Sequence, residues 1–336
     1  ELIHAAGLHP FRILGKKGEI SQADAHLQSY CCSLVRSGLE TALNGSLDFL
    51  GGAVFPHTCD SIQRLSDIWR LNAGFNHHFD VVLPVKLNTL SARQYMAEVL
   101  TGFRKELEQA FQMEITDQAI WSAIRDYNLI REKLESLYGL RSFKPSLFEP
   151  STVHRITAAA MIMEPGAFIK HISEFLGTVE PGDLDGTGAG RKRLVLSGGI
   201  CSHPDIYDLL ARTGADVVWD DLCTGTRWFE EKIEEDDDRD PIEALADRYM
   251  ARSLCPAKHA DIRIRAKELA DTVRRHRADG VIFLLLKFCD PHAFDYPYLK
   301  RFLDDAGIPS LLLEIEDQPP SGGQLMTRFE TFVDML

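Results

Sequence analysis

The sequence has 336 residues, of which 45% are hydrophobic, and a formal net charge of -13 at pH 7. A chain of this size can bury a sizeable core, and its length favours two domains over one. The negative charge argues against binding to nucleic acid or an anionic membrane, because either would favour a basic patch. No stretch approaches the roughly 20 apolar residues of a membrane-spanning helix. The seven scattered cysteines favour reduced thiols in the cytoplasm over a secreted disulfide framework.

The first half of the chain predicts alternating strands and helices. Short apolar runs predict strands at 10–15, 49–60 and 80–86. Helical spacing predicts helices at 23–45, 61–74 and 91–138, the last with a break near 114–117, and two more up to about Gly177. Alternation of this kind is typical of parallel strands covered by helices.

Glycines and charged residues at 180–192 predict a loop between two domains. Beyond this loop, apolar runs predict strands at 193–200, 215–222, 279–289 and 308–316. Helical patterns lie between them and again from about Gln324. We therefore expect an α/β fold with two doubly wound, Rossmann- or flavodoxin-like parallel-sheet domains, at 1–178 and 179–336, and additional helices. GTGAG at 186–190 resembles a phosphate-binding loop, but a plain linker is favoured because it neither follows a strand nor opens a helix.

Two cysteines are placed alike. Cys59 is predicted at the end of a strand, before Asp60 and a helix, and Cys289 precedes Asp290 in the same arrangement. Open α/β sheets form their ligand sites at this end of the strands. Cys32 is predicted within the first long helix. Three thiolates from different elements would be a soft ligand set for zinc or an iron–sulfur cluster, whereas buried free cysteines also serve as small core residues.

The absence of any CxxC pair argues against a zinc ribbon, a thioredoxin-type dithiol and a ferredoxin-type binding run.

Two side chains are candidates for catalysis. His292 either donates a proton or hydrogen bond near Cys289 or only begins a helix. Arg227, with Cys223, follows a predicted strand and either contacts a ligand or forms a structural turn.

Three further features have simpler interpretations. Asp60 and Asp290 are expected to cap the following helices, and the alternative is that they tune the neighbouring thiolates. Cys201 and Cys255 are placed in loops and receive no role. The acidic run at 230–240 is expected to be a solvated loop.

Six segments carry a resemblance to a known family: ELIHAAGLHPFRILG, CSLVRSGLETAL, VFPHTCDSIQRLSDIW, DDLCTGTRWF, KFCDPHAFDYPYLKRFLDDAGIPSLLLEIE and GQLMTRFETFVDML. In this order they resemble the D-component family. It comprises the catalytic subunits of 2-hydroxyacyl-CoA dehydratases and the related subunits of ATP-dependent benzoyl-CoA reductases. The resemblance implies two α/β domains with a [4Fe-4S] cluster between them, held by Cys32, Cys59 and Cys289. Cys31 is the alternative to Cys32, which we prefer because it keeps the family-like spacing to Arg36.

The resemblance implies three functions. The first is the iron–sulfur subunit of a 2-hydroxyacyl-CoA dehydratase, a lyase, in which an ATP-dependent activator supplies one electron. The thioester carbonyl of the acyl-CoA then becomes a ketyl radical that expels the neighbouring hydroxyl. The second is a benzoyl-CoA reductase subunit, an oxidoreductase that reduces an aromatic acyl-CoA. The third is an electron-transfer or reductase protein with a double-cubane [8Fe-9S] cluster.

The resemblance also implies a protein partner, which is either a homologous second subunit or a second copy of this chain. Three cysteines would leave one iron of a cubane free for water or a substrate oxygen.

The acid and base groups are not identified. Since the chain begins at Glu1 rather than Met, we expect its natural N-terminus to lie upstream. Glu1 and His4 border that missing region, and neither is chosen.

Overall fold

The computed structural model describes residues 1–15, 18–180, 182, 190–201, 203, 205–252, 255–258, 261–316 and 322–336. The GTGAG segment lies outside the described residues except for Gly190, as does most of the predicted interdomain loop. The division of the chain at 178/179 stays a prediction.

The first part of the chain combines a short parallel sheet with long helices. Its elements are α1 Leu2–Ala5, α2 Ser33–Leu43, β1 Gly52–Phe55, α3 Asp60–Asn72, β2 His77–Asp80, α4 Leu90–Phe111, α5 Asp117–Phe143, α6 Thr152–Ala160 and α7 Pro165–Leu176. Strands β1 and β2 pair in parallel, from Gly52 opposite His77 to Phe55 opposite Asp80. The predicted break between the two long helices is confirmed between Phe111 and Asp117.

The second part is built on a larger parallel sheet. Its elements are β3 Lys192–Gly198, α8 Asp205–Arg212, β4 Ala215–Asp221, α9 Thr226–Phe229, α10 Pro241–Ala251, α11 Ile262–Arg275, β5 Gly280–Leu286, α12 Asp290–Asp305, β6 Ser310–Ile315 and α13 Gly322–Asp334. The strand order is β4-β3-β5-β6, and all neighbouring pairs are parallel. The chain leaves β3 toward one edge and returns to β5 on the other side. The loops after β3 and β5 therefore diverge, which is where open parallel sheets bind ligands.

Strand β5 is buried along its whole length because both of its faces are covered. Ile282, Leu284 and Leu286 pack in the cluster that includes residues of α8 and α13. Val281 and Phe283 pack on the opposite face, with residues of α11 and α12. Two-sided burial explains why this strand is a continuous apolar run rather than an alternating one.

The long helices α4 and α5 connect the two parts. The first half of α5 packs with α4, β2 and α10, whose apolar residues form one core cluster. The second half of α5 packs with α6, α7 and Phe229 of α9 in another cluster. Within the described ranges, no helix has both the length and the apolar character needed to cross a membrane.

Three predictions in the first part were wrong in detail. Residues 10–15 form no strand, because the Arg12 amide donates a single hydrogen bond to the Met161 carbonyl instead of joining a ladder. The strand expected at 80–86 begins earlier, at His77, and ends at Asp80, and Pro84 beyond it has no N–H to donate. The helix expected over 23–45 is a 3-10 turn at Ala23–Ala25 followed by α2.

Candidate functional site

The three predicted cysteine ligands share one structural position. Cys32, Cys59 and Cys289 are the N-cap residues of α2, α3 and α12. Cys32 therefore precedes its helix rather than lying within it. Cys59 and Cys289 stand beyond their strands, since β1 and β5 end at Phe55 and Leu286. Helix N-termini carry partial positive charge and free amides, which favour the thiolate form of a cysteine placed there.

Asp60 and Asp290 are the first residues of α3 and α12, because the cysteine occupies the cap position in each case. The prediction that these carboxylates cap the helices was therefore wrong. A carboxylate in the first helical turn still interacts favourably with the helix dipole. Cys59 and Cys289 are thus each followed by a carboxylate that interacts with the same positive end of the helix as the cysteine does.

All three cysteines line one cavity of ≈ 1480 Å³, at the side of the larger sheet where β3 and β5 end. This exceeds the roughly 300–1,000 Å³ of ordinary small-molecule pockets, so it has room for a cofactor together with part of a substrate. Cys31 is buried and does not line the cavity. Between the two neighbouring cysteines, the structure thus places Cys32 toward the cavity.

The thiols influence one another electrostatically. Burial raises the pKa of Cys32 to about 11, and the negative form of Cys59 adds to the rise, while the amides of Val35 and Leu34 oppose it. Burial, followed by the charge of Cys32, raises the pKa of Cys289 to about 12. Burial also raises the pKa of Cys59. Cys32 is buried and Cys59 and Cys289 are partly buried, and a nearby cation, such as a thiolate-bound metal, would offset the rise in the pKa of all three thiols.

Cysteine thiolates are soft ligands, so the chemistry of this donor set is compatible with an iron–sulfur cluster. Among the described residues, no group of three or more His, Cys, Asp or Glu side chains is arranged to hold one metal ion. In a cubane each thiolate binds a different iron, so the three sulfurs need not converge on one point. Three soft ligands on separate helices around one cavity match that requirement.

The two candidate catalytic side chains lie together beside Cys289. The Nδ1 atom of His292 is 3.2 Å from Cys289 Sγ, and its Nε2 atom is 3.4 Å from Arg227 Nη1. Burial, then the charge of Arg227, lowers the pKa of His292 well below its ordinary value. Arg227 also donates to Cys223 Sγ at 3.5 Å and pairs with Asp221 at 2.6 Å.

The remaining cysteines separate into two groups. Cys223 and Cys255 line the same cavity as the three candidate ligands, and burial raises the pKa of Cys255. Cys201 is buried in the core cluster instead. Cys255 received no role from the sequence, because nothing in its local pattern shows that the loop after α10 returns to the cavity.

The rest of the cavity wall contains both apolar and charged side chains. Apolar side chains form part of it, including Leu8, Phe11, Ile13, Ile62, Leu83 and Met161. Arg12, Arg252 and Lys258 add positive charge. Glu230 also lines the cavity, and burial, reinforced by the charge of Asp221, raises its pKa to about 7. Its proton can therefore exchange near neutral pH. Glu230 was missed from the sequence because it looked like the start of a solvated acidic loop.

The two residues at the start of the chain differ in position. Glu1 lines the cavity and is paired with the buried guanidinium of Arg131. His4 lies 3.1 Å from Asp126 and does not line the cavity. Glu1 and His4 are each paired with another side chain, so neither offers an unpaired acid or base near the cysteines.

Comparisons with known proteins show the family of this chain. A family model described as 2-hydroxyglutaryl-CoA dehydratase, D-component, matches residues 1–336. The chain is 26% identical to the (R)-phenyllactyl-CoA dehydratase beta subunit of Clostridium sporogenes, covering 100% of this chain and 88% of the relative. It is 27% identical to a subunit of the benzoyl-CoA reductase of Thauera aromatica, with the same two coverages, 100% and 88%. It is 26% identical to the beta subunit of the (R)-2-hydroxyglutaryl-CoA dehydratase of Acidaminococcus fermentans, covering 100% and 89%. The chain belongs to the 2-hydroxyglutaryl-CoA dehydratase D-component family.

Proposed function

We propose that this chain is the iron–sulfur subunit of a 2-hydroxyacyl-CoA dehydratase-type enzyme. It would take part in the radical elimination of water from an acyl-CoA thioester after ATP-driven transfer of one electron. The observation that carries the proposal is the common cavity lined by Cys32, Cys59 and Cys289, each at the start of a different helix. The names of two dehydratase relatives support the reaction class.

Cys32, Cys59 and Cys289 would hold a [4Fe-4S] cluster between two α/β domains divided near residue 178. When bound, such a cluster supplies low-potential electrons and one iron that lacks a protein thiolate. Of the two adjacent cysteines, we assign Cys32 because Cys31 does not line the cavity. A double-cubane [8Fe-9S] cluster on the same three cysteines is the alternative cofactor.

The chain's own groups would prepare the cavity for a thioester. Negative charge near the cysteines is stabilised by the N-termini of α2, α3 and α12 and by the buried cation of Arg227. The apolar side chains of the wall would reduce the amount of water around a bound thioester, which would strengthen these interactions. Glu230 carries a proton that exchanges near neutral pH, so it is a group in the wall able to accept or donate one.

A protein partner forms part of the proposal. The dehydratase relatives are named as beta subunits, and the reductase relative is likewise named as one subunit of its enzyme. We infer that this chain works with a homologous second subunit, or as a homodimer, and receives electrons from an ATP-dependent activator. Such a partner would be able to supply acid and base groups beyond those in this cavity.

The second candidate function is that of a benzoyl-CoA reductase subunit, which would reduce the ring of an aromatic acyl-CoA. A reductase relative supports it as the alternative, because it matches this chain over its whole length at 27% identity, against 26% for the two dehydratase relatives. The large cavity with apolar side chains is compatible with either an aliphatic or an aromatic acyl group.

One anaerobic experiment separates these functions. The chain, purified with its partner subunit and activator, is supplied with ATP, a reductant and either a 2-hydroxyacyl-CoA or benzoyl-CoA. Loss of water from the hydroxyacyl-CoA supports the dehydratase, and ring reduction of benzoyl-CoA supports the reductase. About eight irons per cluster without affinity for any acyl-CoA would overturn both and leave the double-cubane protein.

A further inference from the structure

The side chain of Arg227 is fixed at the base of the cavity by several acceptors. Its Nη2 atom donates to the carbonyl oxygens of Gly198 and Asp221, at the ends of β3 and β4. Its Nε atom lies 2.6 Å from the Asp221 carboxylate, and Arg227 is buried. A guanidinium that donates to two carbonyl oxygens and forms an ion pair with a carboxylate cannot reorient without breaking these contacts. Its Nη1 atom is therefore presented to His292 in a defined direction.

This arrangement determines where the hydrogen of the neutral His292 ring lies. A guanidinium has hydrogen-bond donors and no acceptor. Toward Arg227 Nη1, 3.4 Å away, the Nε2 atom of His292 can act only as the acceptor, and the Gly198 carbonyl, a further hydrogen-bond partner of the ring, can only accept from its N–H. The neutral ring then carries its hydrogen on Nδ1, and this atom is 3.2 Å from Cys289 Sγ. Arg227 thus selects the tautomer in which His292 donates to the sulfur.

We propose that His292, oriented by Arg227, donates a hydrogen bond to the Cys289 thiolate and raises the reduction potential of the cluster bound there. The inference rests on the proposed function, because it requires a cluster on Cys289. Hydrogen bonds to ligating sulfurs withdraw electron density from the cluster and stabilise its reduced form. His292 is a positioning and tuning residue, since it acts through Cys289.

The three candidate ligands differ in the hydrogen-bond donors that stabilise their thiolates. At Cys32 and Cys59, the donors that favour the thiolate are backbone amides of α2 and α3, whereas Cys289 has the ring of His292 in addition to that residue's backbone amide. A change at residue 292 therefore alters the hydrogen bonding of one thiolate and leaves the other two intact. This makes the effect measurable on an otherwise complete cluster.

The test is a redox titration of the anaerobically purified protein, followed by electron paramagnetic resonance. His292→Leu removes the donor at similar volume, whereas His292→Asn keeps an N–H near the position of Nδ1. His154→Leu is the matched control, because His154 is also buried but lies outside the cavity. We expect a more negative midpoint potential for His292→Leu, a value close to wild type for His292→Asn, and no change for His154→Leu.

An unchanged potential in His292→Leu at full iron content would overturn the inference. If that variant loses its cluster, His292→Asn decides, because a restored donor should restore a potential near that of wild type. Nitrogen NMR of the histidine rings in the iron-free protein gives an independent reading of the tautomer. A hydrogen on Nε2 rather than Nδ1 of His292 would also overturn the inference. Wild-type protein that binds no iron would instead refute the proposed function.

Discussion

The imidazole of His57 is hydrogen-bonded to the carboxylate of Asp80, with Nε2 2.7 Å from Oδ1. This contact ties the loop that carries Cys59 to the end of β2. His57 has a φ of 32°, in the left-handed region that residues other than glycine rarely adopt. Asp80 also accepts a hydrogen bond from Ser66 of α3. One carboxylate therefore connects the loop before Cys59 with the helix after it.

Replacing Asp80 by alanine should loosen this loop and destabilise the fold by about 1–3 kcal/mol, since partly buried donors lose their acceptor. Urea unfolding gives the free energy, and iron per chain reports whether Cys59 is still positioned. Asp67→Ala is the matched control, because Asp67 lies on the same helix and pairs only with the exposed Arg70 in the described contacts. We expect about 0.5 kcal/mol or less for the control. Equal effects of the two changes would argue against a role for Asp80 in holding the loop.

Gly225 is required by the close approach of a buried carboxylate. A Cβ atom there would lie 1.7 Å from Asp220 Oδ1, and Asp220 is fully buried and paired with Arg141 at 3.0 Å. Gly225→Ala should therefore destabilise the fold by about 3 kcal/mol, at the upper end for overpacking, and displace the nearby Arg227. Gly102→Ala meets no atom within 4 Å and lies inside α4, so it should be neutral or stabilising. Thermal unfolding compares the two, and equal melting temperatures would contradict the prediction.

His154 should make the stability of the fold depend on pH. Burial lowers its pKa to about 4 in the folded protein, against an ordinary value of 6.5. Between these pH values the unfolded chain binds a proton that the folded chain excludes. Stability is therefore complete above about pH 6.5 and falls as the pH is lowered toward about 4, by on the order of 3 kcal/mol for this group.

Urea unfolding at several pH values checks this prediction on wild type and His154→Leu. The free energy of unfolding of the variant should fall less steeply between pH 6.5 and 4, because leucine does not titrate. Parallel pH profiles for the two proteins would contradict the prediction. A difference between the two proteins above pH 6.5 would reflect only the altered packing against Tyr207, whose ring lies 5.1 Å from that of His154, so the comparison is made on the slopes below that pH.

The adjacent pair Cys31 and Cys32 offers a direct comparison of neighbouring thiols. Cys32→Ala should remove or convert the cluster, whereas Cys31→Ala should leave iron content unchanged, because only Cys32 lines the cavity. Cys201→Ala and Cys255→Ala should also keep full iron content. Iron and acid-labile sulfide per chain are the measured quantities. Loss of iron in Cys31→Ala with full retention in Cys32→Ala would reverse the assignment.

The larger sheet was largely predictable from the sequence, and the smaller one was not. Strand β5 is a continuous apolar run because both faces are covered, and that pattern is visible without a structure. Strand β2 contains His77, His78 and Asp80, which have no strong preference for strands, and it forms because β1 provides a pairing partner. The segment at 10–15 has the composition of a strand but pairs with no strand in the part of the chain that the structure describes.

The residues of the site likewise fall into those that the sequence predicted and those that it did not. The Cys-Asp pairs at 59 and 289 are local signals, and they indicated which cysteines to consider. That each candidate ligand begins a helix was not evident for Cys32, since helical spacing continues upstream of it. The approach of Cys255 and Glu230 to the cavity depends on contacts between distant segments. No local pattern encodes such contacts, so sequence reasoning placed both residues in loops without function.

The most direct test of the central claim is the iron and sulfide content of anaerobically purified Cys59→Ala beside wild type. Cys59 has no neighbouring cysteine to replace it, so its loss should leave an incomplete ligand set. We predict about four irons and four sulfides per wild-type chain, and a lost or converted cluster in the variant. A full complement of iron and retained activity in Cys59→Ala would contradict the ligand set of Cys32, Cys59 and Cys289.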